Sequence, residues 1–430
     1  MYRQFACLIA AGAAALPFAA MAQDPLAAAG DSGDTAWVMA AAALVLAGAL
    51  PGLGLLYGGR VKARNFLSVL MQLGAVACVA SLAWIIAGYT LAFGNPVNGF
   101  IGDGSRWMMV YLDAMRVGTF IPESAFALFQ MALAIMAAAL MVGAWIGRAR
   151  FGWAIAFAML WVLAVYAPVA HWTWGGGWLA AAGLMDFAGG LPIHVTAGVS
   201  AVVVALLIGR RKLAGDTASP SQSPELAMVG ATLLWVGWFG LVGGNALSAT
   251  DDASTAIINA QAAASAGALA WLLSARLGGG KPTAAMVGGG AMAGLVSISP
   301  AAVFVSPGAA IVIGLAGAIA VRWAAMALKH RWKVDDAMDV FALHAVGGAV
   351  GLLLTGVFAS PYLGGTGFVQ DGMAILTQVS VQAFGIAAVA VYAAIATALI
   401  AVAVNLVIPM RVSAEEEAAG LDVASHGEAG

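Results

Sequence analysis

The chain has 430 residues, of which 63% are hydrophobic and 9% charged, and its mean hydropathy is +0.95. Soluble domains carry roughly a quarter of their residues as charges, so this composition excludes a water-soluble fold and indicates a polytopic membrane protein. A net charge of -2 gives no electrostatic reason to expect nucleic acid, and Cys7 and Cys78, the two cysteines, can build neither a disulfide framework nor a cysteine metal site.

Residues 1–22 carry Arg3, an apolar run from Leu8 to Ala20, and then Ala20, Met21 and Ala22, the pattern of a cleavable secretory signal peptide. The alternative, an uncleaved extra helix, suits the run less well because it is short for a span. Segments of spanning length follow at 35–58, 66–93, 123–147, 151–171, 192–209, 225–248, 254–275, 284–300, 303–326, 340–360 and 376–408. The fold class expected is therefore an all-α polytopic membrane protein with eleven transmembrane helices. It divides into the signal, a transmembrane domain at 23–408 and a polar tail at 409–430 that reads as cytosolic and weakly ordered. With the mature N-terminus outside, the odd-numbered connections are cytoplasmic. They hold Arg60, Lys62 and Arg64, Arg148 and Arg150, Arg210 to Lys212, Arg276 and Lys281, and Lys329 to Lys333, whereas the outer connections hold Arg106 and Arg116. That bias orients the protein N-out and C-in.

The fifth and tenth spans each carry a histidine eight residues after an aspartate, His194 after Asp186 and His344 after Asp336. Eight helical residues rise about 12 Å, which places both rings at depth in a hydrocarbon layer about 30 Å thick. Polar rings there are costly and mark a substrate or proton path more often than an isolated packing site, above all as a matched pair. The fifth span runs inward and the tenth outward. Two inverted five-helix repeats plus an eleventh helix follow, with the site at the repeat interface. A weaker echo joins Pro51 to Gly59 in span one with Trp238 to Gly244 in span six, where small residues also serve close helix packing.

At the outer end of span four, Trp172 and Trp178 suit an interfacial aromatic belt. Trp174 differs because Gly175, Gly176 and Gly177 follow it, so its ring can face a vestibule and attract a small cation. Asp186 reads more readily as a cap on the helix bearing His194 than as a direct ligand, although its charge favours cations nearby. No nucleophile, carboxylate pair or metal-ligand cluster accompanies the histidines, which argues against an enzyme.

Pro51 to Gly59, Phe129 and Gln130, His171 to His194, Trp238 to Gly240, Gly280 to Pro282, Asp335 to Gly348 and Gly420 to Glu428 together resemble the ammonium transporter (Amt/Mep/Rh) family, its Amt branch in particular. The resemblance implies an eleven-helix protomer, a homotrimer in the cytoplasmic membrane, and one narrow pore per protomer for ammonium or ammonia. It also implies an outer recruitment site at Trp174 and twin pore histidines at His194 and His344, with no cofactor. Three positions depart from the family pattern. Leu133 and Leu241 stand where the family usually has stacked phenylalanines, and Asn245 aligns with the recruitment-site serine. Leucine keeps an apolar constriction but lacks the ring quadrupole, worth about 0.5 to 2 kcal/mol per ring toward a cation. Asn245 keeps a carbonyl acceptor.

Selection of ammonium over potassium has to exploit its N–H donors and its acidity. Deprotonation at the mouth, with separate passage of ammonia and a proton, suits a dry pore and paired histidines. Alternatives to transport are an ammonium sensor with little flux, favoured by Leu133, Leu241 and Asn245, and a neutral gas channel. The tail motif and the basic run Arg210 to Lys212 further imply a PII-type signalling protein as cytosolic partner, although ordinary positive-inside anchoring explains that run equally well.

Overall fold

Long uninterrupted apolar segments become long helices, because a helix satisfies its own backbone polar groups without water. The computed structural model describes residues 30–212, 223–369 and 372–428, so the expected signal peptide lies outside the described residues. Within them, eleven helices are long and apolar enough to span: Ser32–Arg60, Ala63–Phe93, Glu123–Trp145, Phe151–Ala181, Gly190–Ile208, Pro224–Gly244, Asp251–Leu277, Ala284–Ala301, Pro307–Arg331, Phe341–Phe358 and Ile375–Asn405. Each coincides with an expected span, and the differences are at the ends. The ninth begins later, at Pro307, because Ser306 caps it by accepting from the Ala309 amide and proline suits the first helical turn. The fourth runs further out, to Ala181, absorbing an i→i+5 turn at Val162–Tyr166 on the way.

The third span forms the centre, 89% buried over its most apolar stretch, whereas the eleventh is only 22% buried and lies at the periphery. Ala132, Ala134, Ala137, Ala138 and Ala139 are fully buried in the third span, and such small side chains let the first, second and fifth spans close on it. Spans five and ten approach backbone to backbone. A methyl group on Gly198 would sit 2.2 Å from the Ala345 amide nitrogen, so no larger residue fits there.

The inverted repeat is visible atom by atom at this crossing. Asp186 Oδ2 accepts from the Leu191 amide at 2.7 Å and Asp336 Oδ2 from the Phe341 amide at 2.7 Å, each five residues on. Each carboxylate thereby caps an i→i+5 turn, Gly190–Val195 or Phe341–Val346, that carries a histidine. Gly189, at φ +91°, makes the left-handed step into the first of these turns. Similar turns in spans one, two, four and nine show that the conformation alone does not mark a site.

The tail departs from expectation. Instead of being weakly ordered, residues 409–428 pack along the face that carries the odd-numbered connections, with helices at Ala414–Ala419 and Leu421–His426. Ser413 and Glu416 form a reciprocal capping box at the first helix. Glu417 accepts from the Lys212 amide at 2.7 Å and pairs with Arg411 at 2.8 Å, while Asp422 accepts from the Leu67 and Ser68 amides at 3.2 and 2.7 Å. The tail's order thus comes from charges that look solvated in the sequence and are used up by distant backbone.

A second contact of this kind anchors the long connection between spans two and three. Glu123, fully buried, takes Arg106 at 2.9 Å, Arg116 at 3.2 Å and the Tyr89 hydroxyl. The Arg116 guanidinium lies 4.1 Å over the Phe126 ring.

Candidate functional site

His194 and His344 are both buried, and the fold brings them together: their ring centroids are 5.3 Å apart and their planes differ by 28°. On the other side of His194 lies Trp238 of span six, its centroid also at 5.3 Å and its plane 15° away. Nδ1 of His194 and Nδ1 of His344 have no hydrogen-bond partner among the described residues. Ser299, at the end of span eight, reaches both the indole and the imidazole. Its hydroxyl oxygen accepts from Trp238 Nε1 at 2.9 Å and lies 3.4 Å from His194 Nε2. His171, also buried, does not join them. Its Nδ1 meets the Ala92 carbonyl at 2.9 Å and ties span four to span two.

In the loop before span five, Asp186 has both carboxylate oxygens engaged, Oδ1 by the Gly189 and Gly190 amides at 3.0 and 2.6 Å and Oδ2 by Leu191. It caps the helix of His194, the role favoured from its position in the sequence. Burial pushes its pKa up to about 6 against the downward pull of those three amides. The loop it anchors is held from span eight, because the Phe187 and Ala188 amides donate to the Pro300 and Ser299 carbonyls. Trp174 Nε1 donates to the Asp186 carbonyl at 2.9 Å, so the half-buried ring is fixed to the same loop.

Trp238, Leu241 and Asn245 follow one another at helical spacing on span six, a row that starts at the stacked histidine. Leu241 and, on span three, Leu133 are fully buried. The Asn245 side-chain N–H donates to the Leu241 carbonyl at 2.8 Å, which leaves its side-chain oxygen as an acceptor.

A buried histidine pair between antiparallel repeats, beside a capped loop and a fixed tryptophan, is a specific arrangement, and comparison with known proteins supplies the family in which it occurs here. The Ammonium Transporter Family model matches residues 36–430. The chain belongs to the ammonium transporter family. It is 41% identical to an ammonium transporter of Aquifex aeolicus over 399 residues, 93% of each chain, and 41% identical to one of Bacillus subtilis over 403 residues, 92% of this chain and 98% of that one. Among solved structures it resembles a protein described as a sensor Amt protein, with a TM-score of 0.86 at 28% identity over 92% of this chain and 98% of that one. It also resembles Mep2 of Saccharomyces cerevisiae, with a TM-score of 0.82 at 32% identity over 91% and 90%. This is a multi-pass membrane protein of a transporter family.

Two residues at the site escaped the sequence reading. Trp238 is visible in the sequence as part of a packing echo and of the family resemblance, with no tie to His194, and Ser299 as one more small residue at a span end. The signal that exposes them is three-dimensional, because each meets a histidine far away in the chain.

Proposed function

We propose that this chain carries ammonium across the cytoplasmic membrane, taking it up at an outer vestibule and passing it through a narrow apolar pore. The observation that carries the reading is the juxtaposition of two buried imidazoles, each with a bare Nδ1, in the first turns of antiparallel spans five and ten. Ammonium is recruited between the Trp174 ring and the Asn245 side-chain oxygen, in the field of Asp186, where an aromatic face and a carbonyl acceptor favour an N–H cation. It loses a proton there, because a bare cation is costly in a dry passage, and ammonia passes the constriction of Leu133 and Leu241. His194 and His344 carry the proton on a separate leg, a task that suits imidazole because a ring nitrogen can gain and release a proton. No catalytic transformation and no cofactor form part of this reading.

The finer placement follows the same argument. The cationic connections face the cytosol, so the N-terminus lies outside and the docked tail inside. Three protomers associate, each with its own pore. A PII-type protein docks on the tail face, where Arg210 and Lys212 remain exposed while Arg211 is already held by Asp335 at 2.7 Å. Recovery of such a protein from native cytosol with the intact chain, and its loss on deleting residues 413 to 430, tests that contact.

A second reading is an ammonium sensor with little flux. It is supported by the absence of aromatic rings at Leu133 and Leu241 and by the likeness to the sensor Amt protein. Purified protein in proteoliposomes, challenged with ammonium, methylammonium and potassium, separates the two. Ammonium flux that potassium does not match supports transport. Saturable ammonium binding without flux supports sensing.

A further inference from the structure

Ser299 sits where four elements meet. Its backbone carbonyl takes the Ala188 amide of the loop anchored by Asp186, and its side chain reaches span six and span five. A hydroxyl has one proton to give and two lone pairs to receive. The proton is spent, because Ser299 Oγ donates to the Leu295 carbonyl at 2.8 Å and a carbonyl can only accept. One lone pair is spent as well, since an indole N–H can only donate and Trp238 Nε1 does so at 2.9 Å. What faces His194 Nε2 at 3.4 Å is therefore the remaining lone pair.

We infer that Ser299 is a positioning residue that fixes His194 as the Nε2–H tautomer and so keeps its Nδ1 as a bare proton acceptor at the histidine pair. The opposite tautomer would set a lone pair of Nε2 against a lone pair of Ser299. The fully buried His194 ring has no other side-chain partner among the described residues, so this one contact decides which nitrogen is free. A proton arriving on Nδ1 turns the neutral ring into imidazolium, and its departure to His344, whose Nδ1 is equally bare, restores the starting tautomer. The Nε2 proton stays on His194 throughout, donated to Ser299 Oγ. The Trp238 ring, held parallel to His194 by the same oxygen, faces the transient cation with its π surface.

The functional part of this inference rests on the proton-relay reading above, whereas the tautomer does not. The test therefore measures both on the full-length purified protein. Nitrogen-15 spectra of histidine-labelled protein, with the His194 signals assigned by their loss in His194→Gln, report which nitrogen carries the proton. Ammonium-driven currents in proteoliposomes across pH report the relay. Wild type is expected to show protonated Nε2 and bare Nδ1. Ser299→Ala is expected to mix the tautomers and lower the current about three- to tenfold, the range set by one neutral hydrogen bond, and Ser299→Thr, which keeps the hydroxyl, to restore both. The double variant Ser299→Ala with Trp238→Phe removes the orphaned indole N–H and is expected to keep the mixture. A return to a single Nε2–H form in that variant would trace the effect to Trp238 and overturn the assignment. So would an Nδ1–H ring in wild type, or a Ser299→Ala protein with unchanged spectrum and pH profile. If wild type carries no current, the transport reading fails while the spectra still decide the role of Ser299.

Discussion

The docked tail makes the second span depend on a residue more than 350 positions away, and replacing Asp422 by Ala should free both partners at once. Asp422 is 1% exposed, and its two oxygens accept from Leu67 and Ser68, first-turn amides of the α-helix beginning at Phe66 that have no intrahelical acceptor. Removing an N-capping side chain costs about 0.5 to 2 kcal/mol, and a hydrogen bond to a charged acceptor contributes about 1.5 to 3 kcal/mol. The two ranges describe the same contacts, so they are not summed, and about 2 kcal/mol is the consistent figure. That corresponds to an undocked population raised about 30-fold. The Leu421 amide still donates to Asn65 Oδ1 at 2.8 Å, which limits the effect to partial release. Hydrogen exchange on the purified protein should show faster exchange in peptides covering 63–72 and 414–428 together, with Asp422→Asn intermediate because it keeps one oxygen. If the tail exchanges faster while 67 and 68 stay protected, another group caps the span and the reasoning is refuted.

Four further outcomes are expected. Alanine at His194 and at His344 should each abolish most ammonium current and the double variant should lose little more, because coupled residues are non-additive; full current in either single variant ends the relay reading. Phenylalanine at both Leu133 and Leu241 should raise apparent affinity or cation block, by at most a few kcal/mol in total, and an unchanged affinity, rate and methylammonium ratio would make both plain packing sites. Glu123→Gln leaves Arg106 and Arg116 facing a neutral amide, and a loss of about 2 kcal/mol is expected, below the full value for breaking a buried pair because these arginines are 25% and 19% exposed; an unmoved thermal midpoint in detergent would dismiss the clasp. Asp186 titrates near pH 6 in the fold, above the ordinary value of 3.8, so its ionised form costs stability above pH 6 and acidification relieves that cost while removing the negative charge. Uptake should therefore fall through pH 6 in wild type and lose that step in Asp186→Asn, whereas the same midpoint in both would assign the titration elsewhere.

What the sequence made legible, and what it hid, divides along a physical line. Span number and order are written in local composition, since each helix must by itself offer about 20 apolar residues to the bilayer. The histidine pair was legible for a related reason: the Asp-to-His spacing of eight is a local pattern that both repeats retain, and the fold converts it into two carboxylates capping turns at the same +5 offset. Trp174 and Asn245, the residues proposed to take up the cation, stand out in the sequence, but their orientation does not, because it is set by the Asp186 carbonyl and by the Leu241 carbonyl respectively. Wholly hidden were the contacts in which a polar group is satisfied from far along the chain: Asp422 on span two, Glu123 with its two arginines, and Ser299 between Trp238 and His194. In a protein with so few charges, a polar residue that looks solvated, or merely small, is the one most worth tracing to its partner. In a low-dielectric interior an unpaired group is expensive, so the folded chain puts such residues where they hold separate elements in register. The same holds around the histidine pair, because Ser299 meets His194 Nε2 and Trp238 through its side chain and, through its backbone, the loop of Asp186 to which Trp174 is bonded.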